Sequence, residues 1–459
     1  MLAQLVGGIA LARLLVPADF GLAAGVLTIS AFALLFVDLG IGPAVVQRKD
    51  VSEELLASAF WLNALAGVGL TLLLAACSPL VAAFFHHDVL VPLTCLVSLN
   101  FTLSLGVVHL ALLERGFRFR AVGAIDAASA VTGMAVSVLA AWLGAGVYAL
   151  ALGPLSATVT TTVLCWAAVP WRPRHFASRP ALGELWAFSS WASGFNLVNY
   201  WSRNADNLFI GHSTGAEALG FYSKAYNLML LPVTQATQVL ARVMLPAFAT
   251  MQDDVVRLRM AYRRYLRLSV LLTAPVIAGL VAVAPVLLPV MWGARWQPAV
   301  PLLQILALSA LPQCLMGTTG ALYQSLGRTR QMFVVGAAVS ALTVVSFAIG
   351  IHWGARGVAV AWLVRCWVLA PWVMSAAGRL VGLSAVRIGA DGLRTALAAG
   401  LMGGGVALLS DVLDVPDGWL LAAQVGLGLL LFPPLLLLLD RPVVQEALAL
   451  VRRTPTVAA

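Results

Sequence analysis

The chain has 459 residues, of which 61% are hydrophobic and only 10% are charged, and its formal net charge is +9. Its mean hydropathy of +0.94 excludes a water-soluble domain, because a single core could not bury so much apolar surface. The positive charge comes without a soluble basic region or a recognition fold, so nucleic acid is not an expected partner.

Apolar segments long enough to cross a bilayer recur along the chain. A helix needs about 20 residues to cross a hydrocarbon core roughly 30 Å thick. Backbone groups in lipid must be hydrogen-bonded within the segment, which favours helices over strands. The sequence therefore predicts an all-α integral membrane protein with about fourteen transmembrane helices. The predicted spans are 2–16, 20–46, 56–84, 90–113, 121–143, 146–170, 185–211, 217–248, 265–292, 299–325, 332–352, 357–378, 392–410 and 418–439.

The loops between these spans alternate in their content of Lys and Arg. The loops on one side, together with the C-terminal tail, hold 21 of these residues, whereas the opposite loops hold only 2, Arg295 and Arg356. Loops rich in Lys and Arg face the cytoplasm, so we expect a multi-pass protein with both termini in the cytoplasm. The first span looks truncated at its cytoplasmic end, since residues 2–15 reach only about 21 Å at ~1.5 Å per residue.

The two halves of the chain resemble each other. Similar segments recur in the same order, with offsets that grow from 199 to 211 residues. They pair Gly21 with Gly220, and ERGFRFR (114–120) with SLGRTRQ (325–331). Each repeat holds six spans, an even number, so both repeats have the same orientation. This arrangement predicts a pseudo-twofold axis along the membrane normal and a central cavity between two lobes.

The repeat also predicts the domain organisation. We expect an N-lobe with spans 1 to 6, a cytoplasmic connector, a C-lobe with spans 7 to 12, and two additional C-terminal spans with a short cytoplasmic tail. The predicted boundaries are 1–170 for the N-lobe, 171–184 for the connector, 185–380 for the C-lobe and 381–459 for the remainder.

Two neighbouring spans carry polar residues at spacings of three and four, which places them on one helical face. Charged groups inside a span are costly and usually face a cavity or a partner helix. Arg203, Asp206 and Lys224 have a similar predicted depth, and Arg242 lies near the cytoplasmic end. Two interpretations are open: a hydrated, net-positive cavity that attracts an anionic headgroup, or a salt bridge that locks two helices together. The substrate-binding candidates are Asn199, Arg203, Asp206, Asn207, Lys224, Asn227, Gln235, Gln238, Arg242 and Arg365.

Intramembrane carboxylates are candidates for ion coupling. Asp38 and Asp206 are therefore predicted sites for H⁺ or Na⁺, although Asp38 also has structural interpretations as a partner of Arg13 or as the cap of a helix break at Gly40 and Gly42. Arg365 is flanked by Trp362 and Trp367, and it either lines the cavity or packs on an indole ring.

The sequence carries none of the motifs for catalysis, cofactor binding or metal ligation. The five cysteines have no paired spacing and lie inside spans, so we expect free thiols. These features predict a transporter without a cofactor rather than an enzyme.

Five segments of the chain carry a family resemblance. They are LARLLVPADFGLAAGVLTISAFALLFVDLGIGPAVVQRKDVSEELLASAFWLN, LLERGFRFR, NYWSRNADNLFIG, GFYSKAYNLMLLPV and RVMLPAFATMQDD. In these segments the chain resembles the bacterial polysaccharide flippases of the multidrug/oligosaccharidyl-lipid/polysaccharide exporter superfamily. The resemblance implies two six-helix lobes around a V-shaped cavity, usually with two extra C-terminal spans. Members typically begin further upstream than Met1 does here.

The resemblance also implies an activity. Such proteins move polyprenyl-diphosphate-linked oligosaccharide from the inner to the outer leaflet of the bacterial inner membrane, by alternating access, for exopolysaccharide, capsule or O-antigen biosynthesis. The expected partners are this glycolipid, membrane lipids, and a polysaccharide polymerase with glycosyltransferases. A multidrug or small-molecule cation-coupled antiporter of the same superfamily would instead have a cavity rich in carboxylates and aromatic rings. A non-transporting scaffold of a glycan assembly complex would tolerate substitution of Arg203 and Lys224.

Overall fold

The computed structural model describes residues 2–38, 51–174, 176, 200–201 and 203–452, except for the side chains of 2–5, 35–38, 235–243, 245, 385 and 447–452. Every regular element in these ranges is helical, which confirms the predicted all-α class. The chain divides into two compact units, Met1–Ser223 and Lys224–Ala459. The predicted connector falls mostly outside the described residues, so the predicted lobe boundaries stay a prediction.

The first unit is built from helices of very different length. Ser52 caps one of them by accepting a hydrogen bond from the backbone N–H of Leu55 at 3.2 Å, and two glutamates in its first turn suit the positive end of the helix dipole. The helices are α1 (Leu2–Leu14), α2 (Pro17–Asp38), α3 (Glu53–Ala76), α4 (Ser78–Phe85), α5 (Leu90–Leu103), α6 (Val107–Arg115), α7 (Phe119–Trp142), α8 (Ala149–Ala168) and α9 (203–214).

The second unit contains the longest helices described. The first of them, α10, begins in the first unit and continues into the second. The helices are α10 (Ala216–Ala249), α11 (Val255–Trp292), α12 (Ala299–Ser325), α13 (Thr329–Gly350), α14 (Gly354–Gly378), α15 (Ala385–Val412), α16 (Asp417–Leu439) and α17 (Arg441–Arg452).

Nine helical stretches in the described part of the chain are long and apolar enough to cross a membrane, or ten if the bent pair of α5 and α6 is one span. The difference from fourteen has specific causes. The described α1 has only 13 residues, α10 includes the side chains of 235–243 that the structure does not describe, and most of span 7 lies outside the described ranges. One stretch, Thr329–Val381, contains two of the predicted spans, since α13 and α14 are joined by the 3₁₀ turn Ile351–Trp353.

The fourth predicted span is bent where α5 ends and α6 begins. The two helices differ in direction by 43°. A break in lipid leaves backbone carbonyls without intrahelical partners. Side chains of α8 hydrogen-bond two of them: the Thr162 hydroxyl donates to the Leu103 carbonyl at 2.7 Å, and the Trp166 indole N–H donates to the Leu105 carbonyl at 3.1 Å.

Helix α2 crosses the first turns of α10 at backbone contact. A β-carbon added to Gly21 would lie 1.7 Å from the carbonyl oxygen of Ala216, and one added to Gly220 would lie 1.9 Å from the carbonyl oxygen of Pro17. The contact is reciprocal, because Pro17 precedes Ala216 by 199 residues and Gly21 precedes Gly220 by the same number. Only glycine allows both backbones to approach this closely.

A second pair of repeated segments adopts the same turn. Phe117 and Gly327 both have a left-handed backbone, with φ of 53° and 65°. The following N–H groups, of Arg118 and Arg328, each donate to the carbonyl five residues earlier at 2.9 Å. The structural offset is 210 residues, one fewer than in the sequence match of these segments.

Helix α11 is much longer than a bilayer requires. Its 38 residues extend about 57 Å at ~1.5 Å per residue, nearly twice a hydrocarbon core of roughly 30 Å. Asp254 caps it by accepting the backbone N–H groups of Val256 and Arg257 at 3.1 and 3.0 Å. No charged residue follows Arg267 in this helix. We therefore expect 268–292 to lie in the hydrocarbon and the preceding turns to lie outside it.

Candidate substrate-translocation site

Asp206 is the best-defined member of the predicted polar face. It lies on α9 and is only 2% exposed. Its carboxylate accepts the Tyr222 hydroxyl at 2.8 Å and the backbone N–H of Asn207 at 2.9 Å. Tyr222 is itself fully buried. A buried carboxylate needs such donors, because an unsatisfied charge in a low-dielectric interior is very costly.

Asn207 of α9 and Tyr200, which precedes α9, are both hydrogen-bonded to α2. The Asn207 side-chain amide donates to the Thr28 hydroxyl at 3.1 Å. The Tyr200 hydroxyl donates to the carbonyl of Thr28, which is almost fully buried. Thr28 and Tyr200 were not among the predicted site residues, since nothing in their sequence context signals a partner so distant along the chain.

Arg203 differs from its neighbours on α9 in being exposed. It makes no ion pair with any described residue, and the salt bridges found in the described part involve other arginines. No described carboxylate therefore forms with Arg203 the salt bridge that the second interpretation of the polar face requires. Its role in binding substrate remains a prediction.

In the second unit, two of the predicted cations lie over tryptophan rings. The Lys224 ammonium is 5.3 Å from the ring centroid of Trp292, and the Arg365 guanidinium is 4.1 Å from that of Trp362. Such contacts stabilise a cation in a weakly hydrated place by about 0.5–2 kcal/mol. The sequence left cation–π packing open for Arg365, but gave no such signal for Lys224.

Trp362 is the centre of an aromatic cluster. Its ring stacks on Phe347 with centroids 5.4 Å apart and meets Tyr226 edge-on at 6.0 Å. Arg365 also lines an apolar groove of about 760 Å³ between α13 and α14. Helix α10 thus places Tyr226 beside Trp362, the ring that underlies Arg365.

For the remaining predicted site residues the structure gives no side-chain contact that bears on substrate binding. Asn227 is exposed on α10. The structure does not describe Asn199, nor the side chains of Asp38, Gln235, Gln238 and Arg242, so these predictions lie outside the described residues. The described residues contain no group of three or more His, Cys, Asp or Glu that could hold a metal ion.

Sequence comparison assigns the family. The model of a family described as "Polysaccharide biosynthesis protein" matches residues 10–301, which is well over half of the chain. The chain belongs to this family. The family resemblance seen in the five sequence segments is thereby confirmed.

Curated relatives of this family member have related names. The chain is 27% identical over 337 residues to the teichuronic acid biosynthesis protein TuaB of Bacillus subtilis, covering 73% of this chain and 70% of TuaB. It is 27% identical to the lipopolysaccharide biosynthesis protein WzxC of Escherichia coli, covering 69% of this chain and 65% of WzxC, slightly less than two thirds. The succinoglycan biosynthesis transport protein ExoT of Rhizobium meliloti is 28% identical, with 65% of this chain and 61% of ExoT covered.

Solved structures show the fold. The lipid II flippase MurJ in its inward closed conformation superposes with a TM-score of 0.77 at 13% identity, covering 96% of this chain and 98% of MurJ. An inward-facing multidrug transporter of the MATE family gives 0.66 at 16% identity, covering 83% and 96%. This polysaccharide biosynthesis protein therefore shares the fold of these two transporters, and ExoT among its relatives is named a transport protein.

Proposed function

We propose that this protein is a flippase that moves polyprenyl-diphosphate-linked oligosaccharide from the inner to the outer leaflet of the bacterial inner membrane. The observation that carries the proposal is the family match over 10–301. ExoT is named a transport protein for succinoglycan biosynthesis, and MurJ, with a similar fold, is named a lipid flippase. The product would serve exopolysaccharide, capsule or O-antigen assembly.

The proposed architecture has fourteen spans in two six-helix lobes with a central cavity, two additional C-terminal spans and both termini in the cytoplasm. The reciprocal contact of Gly21 and Gly220 supports a pseudo-twofold relation, since a twofold operation exchanges the two residues. The shared turn at Phe117 and Gly327 supports it independently. The excess of Lys and Arg in alternate loops supports the orientation.

The proposed mechanism is alternating access with electrostatic capture of the diphosphate. Arg203 is exposed and makes no ion pair with any described residue, and the cationic groups of Lys224 and Arg365 lie over indole rings. Arg242 would meet the anion first and Arg203 and Lys224 would then hold it, because guanidinium and ammonium groups bind phosphate oxygens through charge-assisted hydrogen bonds. The prenyl chain would remain in lipid, and Asp206 or Asp38 is the candidate for coupling to H⁺ or Na⁺.

Charge reversal at Arg203 tests this mechanism. Arg203→Glu should abolish polymer export in a strain that lacks the wild-type gene, because the anion would then meet a repulsive carboxylate. Arg257→Glu, at an exposed position of α11, is the control and should leave export unchanged. Export is measured as secreted polysaccharide, and insertion as the amount of protein in the membrane fraction. Full export by Arg203→Glu would contradict the proposed role of Arg203.

A further inference from the structure

We propose that the first turns of α11 and the C-terminal helix α17 form a binding site for the phosphate group of an anionic membrane lipid. A cavity of about 560 Å³ lies between these helices within the second unit. Five of its seven lining residues are polar or charged. The lining residues are Met260, Arg263, Arg264, Arg267, Pro442, Gln445 and Glu446.

The arginines of this cavity outnumber the carboxylates that contact them. Asp391 accepts two hydrogen bonds from Arg263, at 2.6 and 2.7 Å, and one from Arg267 at 2.9 Å. Arg267 also donates to the Glu446 carboxylate at 2.9 Å. Three guanidinium groups thus face two carboxylates. The cluster therefore keeps one positive charge among the described residues.

Arg264 is the member without a carboxylate partner. Among the described residues, it donates only to the backbone carbonyl of Glu446, at 3.0 Å, and makes no ion pair. The Nε atoms of Arg264 and Arg267 are buried without a hydrogen-bond partner. Buried donors on a charged group are costly when left unsatisfied. A phosphate in the cavity could accept charge-assisted hydrogen bonds from the guanidinium group of Arg264, which lines it.

The position of the cavity identifies a lipid as the source of the phosphate. The three arginines immediately precede the apolar part of α11, 268–292, and so lie where the helix would leave the hydrocarbon. Helix α17 is amphipathic, and its Val443 is 1% exposed. Helices of this type lie along the membrane surface, and basic pockets at the cytoplasmic ends of spans bind anionic headgroups. The inference rests on the membrane orientation and is independent of the transported substrate.

Lipid retention by the purified full-length protein tests the proposal. The protein is delipidated in detergent, incubated with phosphatidylglycerol or phosphatidylcholine, and examined by native mass spectrometry. Wild type should retain phosphatidylglycerol preferentially. Arg264→Gln should lose about tenfold in affinity, equivalent to about 1.4 kcal/mol, a loss in keeping with a charge-assisted hydrogen bond. The matched control Arg257→Gln removes one positive charge from the same helix and should bind like wild type.

A third variant separates lipid binding from simple helix docking. Glu446→Gln removes a negative charge from the cavity and should increase the retention of phosphatidylglycerol, whereas loss of a purely structural salt bridge would leave retention unchanged or lower it. Equal retention of the two lipids by wild type, or equal losses in Arg264→Gln and Arg257→Gln, would overturn the proposal. Displacement of phosphatidylglycerol by inorganic phosphate as readily as by added phosphatidylglycerol would show that the site takes a soluble anion, and would overturn the lipid assignment.

Discussion

At the scale of single residues, the two equivalent turns hold different residues, Phe117 and Gly327, in the left-handed backbone conformation. Gly327 adopts the left-handed region without steric cost, whereas Phe117 adopts it with a β-carbon. The left-handed region costs roughly 1–2 kcal/mol for residues other than glycine. The Phe117 ring is 81% exposed, so packing within the chain compensates little of this cost.

We predict opposite effects of substitutions at these two positions. Gly327→Ala should lower the free energy of unfolding by about 1 kcal/mol, because a β-carbon there has open space and costs only backbone strain. Phe117→Gly should raise it by a similar amount. Gly320→Ala, at another open position but within a helix, is the control and should not destabilise. Thermal unfolding in detergent measures all three. Equal destabilisation by Gly327→Ala and Gly320→Ala would refute the explanation.

The hydroxyl of Tyr222 should contribute measurably to stability. Tyr222→Phe removes a hydroxyl that donates to the buried Asp206 carboxylate, and an unsatisfied buried acceptor costs about 1–3 kcal/mol. Tyr148→Phe is the control, since the Tyr148 hydroxyl has no hydrogen bond to a described residue. The unfolding temperature in detergent should fall for Tyr222→Phe only. If both variants unfold at the same temperature, the bond to Asp206 contributes nothing.

At the scale of helices, the crossing of α2 and α10 depends on the absence of two β-carbons. Gly21→Ala should prevent the crossing, because its new carbon would lie 1.7 Å from a backbone oxygen that belongs to another helix. Overpacking of this kind typically costs 1–3 kcal/mol or more. Gly123→Ala on α7 is the control, since a β-carbon there meets nothing within 4 Å. The measurement is the yield of monodisperse protein in detergent. Similar yields for the two variants would contradict the crossing.

The helices were predictable from hydropathy, but their ends were not. Predicted span 265–292 corresponds to α11, which begins at Val255 because the Asp254 cap and the charged turns after it are helical outside lipid. Predicted span 56–84 is two helices in the structure, α3 and α4, separated at Cys77. Hydropathy detects the apolar part of a helix that can lie in the hydrocarbon core. It does not detect caps or breaks.

The candidate site was predictable only in part. Asp206 and Asn207 are adjacent in α9, so their proximity is local and follows from the sequence. Their partners Tyr222 and Thr28 come from other helices, and these depend on a tertiary approach that sequence spacing does not encode. The tryptophan beneath Lys224 belongs to α11, almost 70 residues further along the chain.

At the scale of the whole molecule, the alternation of basic loops predicts which surfaces face outward. Single cysteines at Asp88 and Arg330, both exposed positions, in a chain whose five native cysteines are replaced by alanine, should react differently with a membrane-impermeant maleimide. Asp88→Cys should be labelled in intact cells, and Arg330→Cys only after permeabilisation. The opposite pattern would reverse the proposed orientation, and identical labelling of the two positions would refute the alternation of the loops between them.

The bend between α5 and α6 has a consequence for the proposed transport cycle. The carbonyls freed at the bend are held by Thr162 and Trp166 of α8. Increasing the bend would pull these oxygens away from their donors on α8, and an unsatisfied carbonyl in hydrocarbon costs several kcal/mol. The two hydrogen bonds from α8 therefore hold the bend in place. During a transport cycle α5, α6 and α8 should travel as one body, and the flexing must occur at other places in the chain.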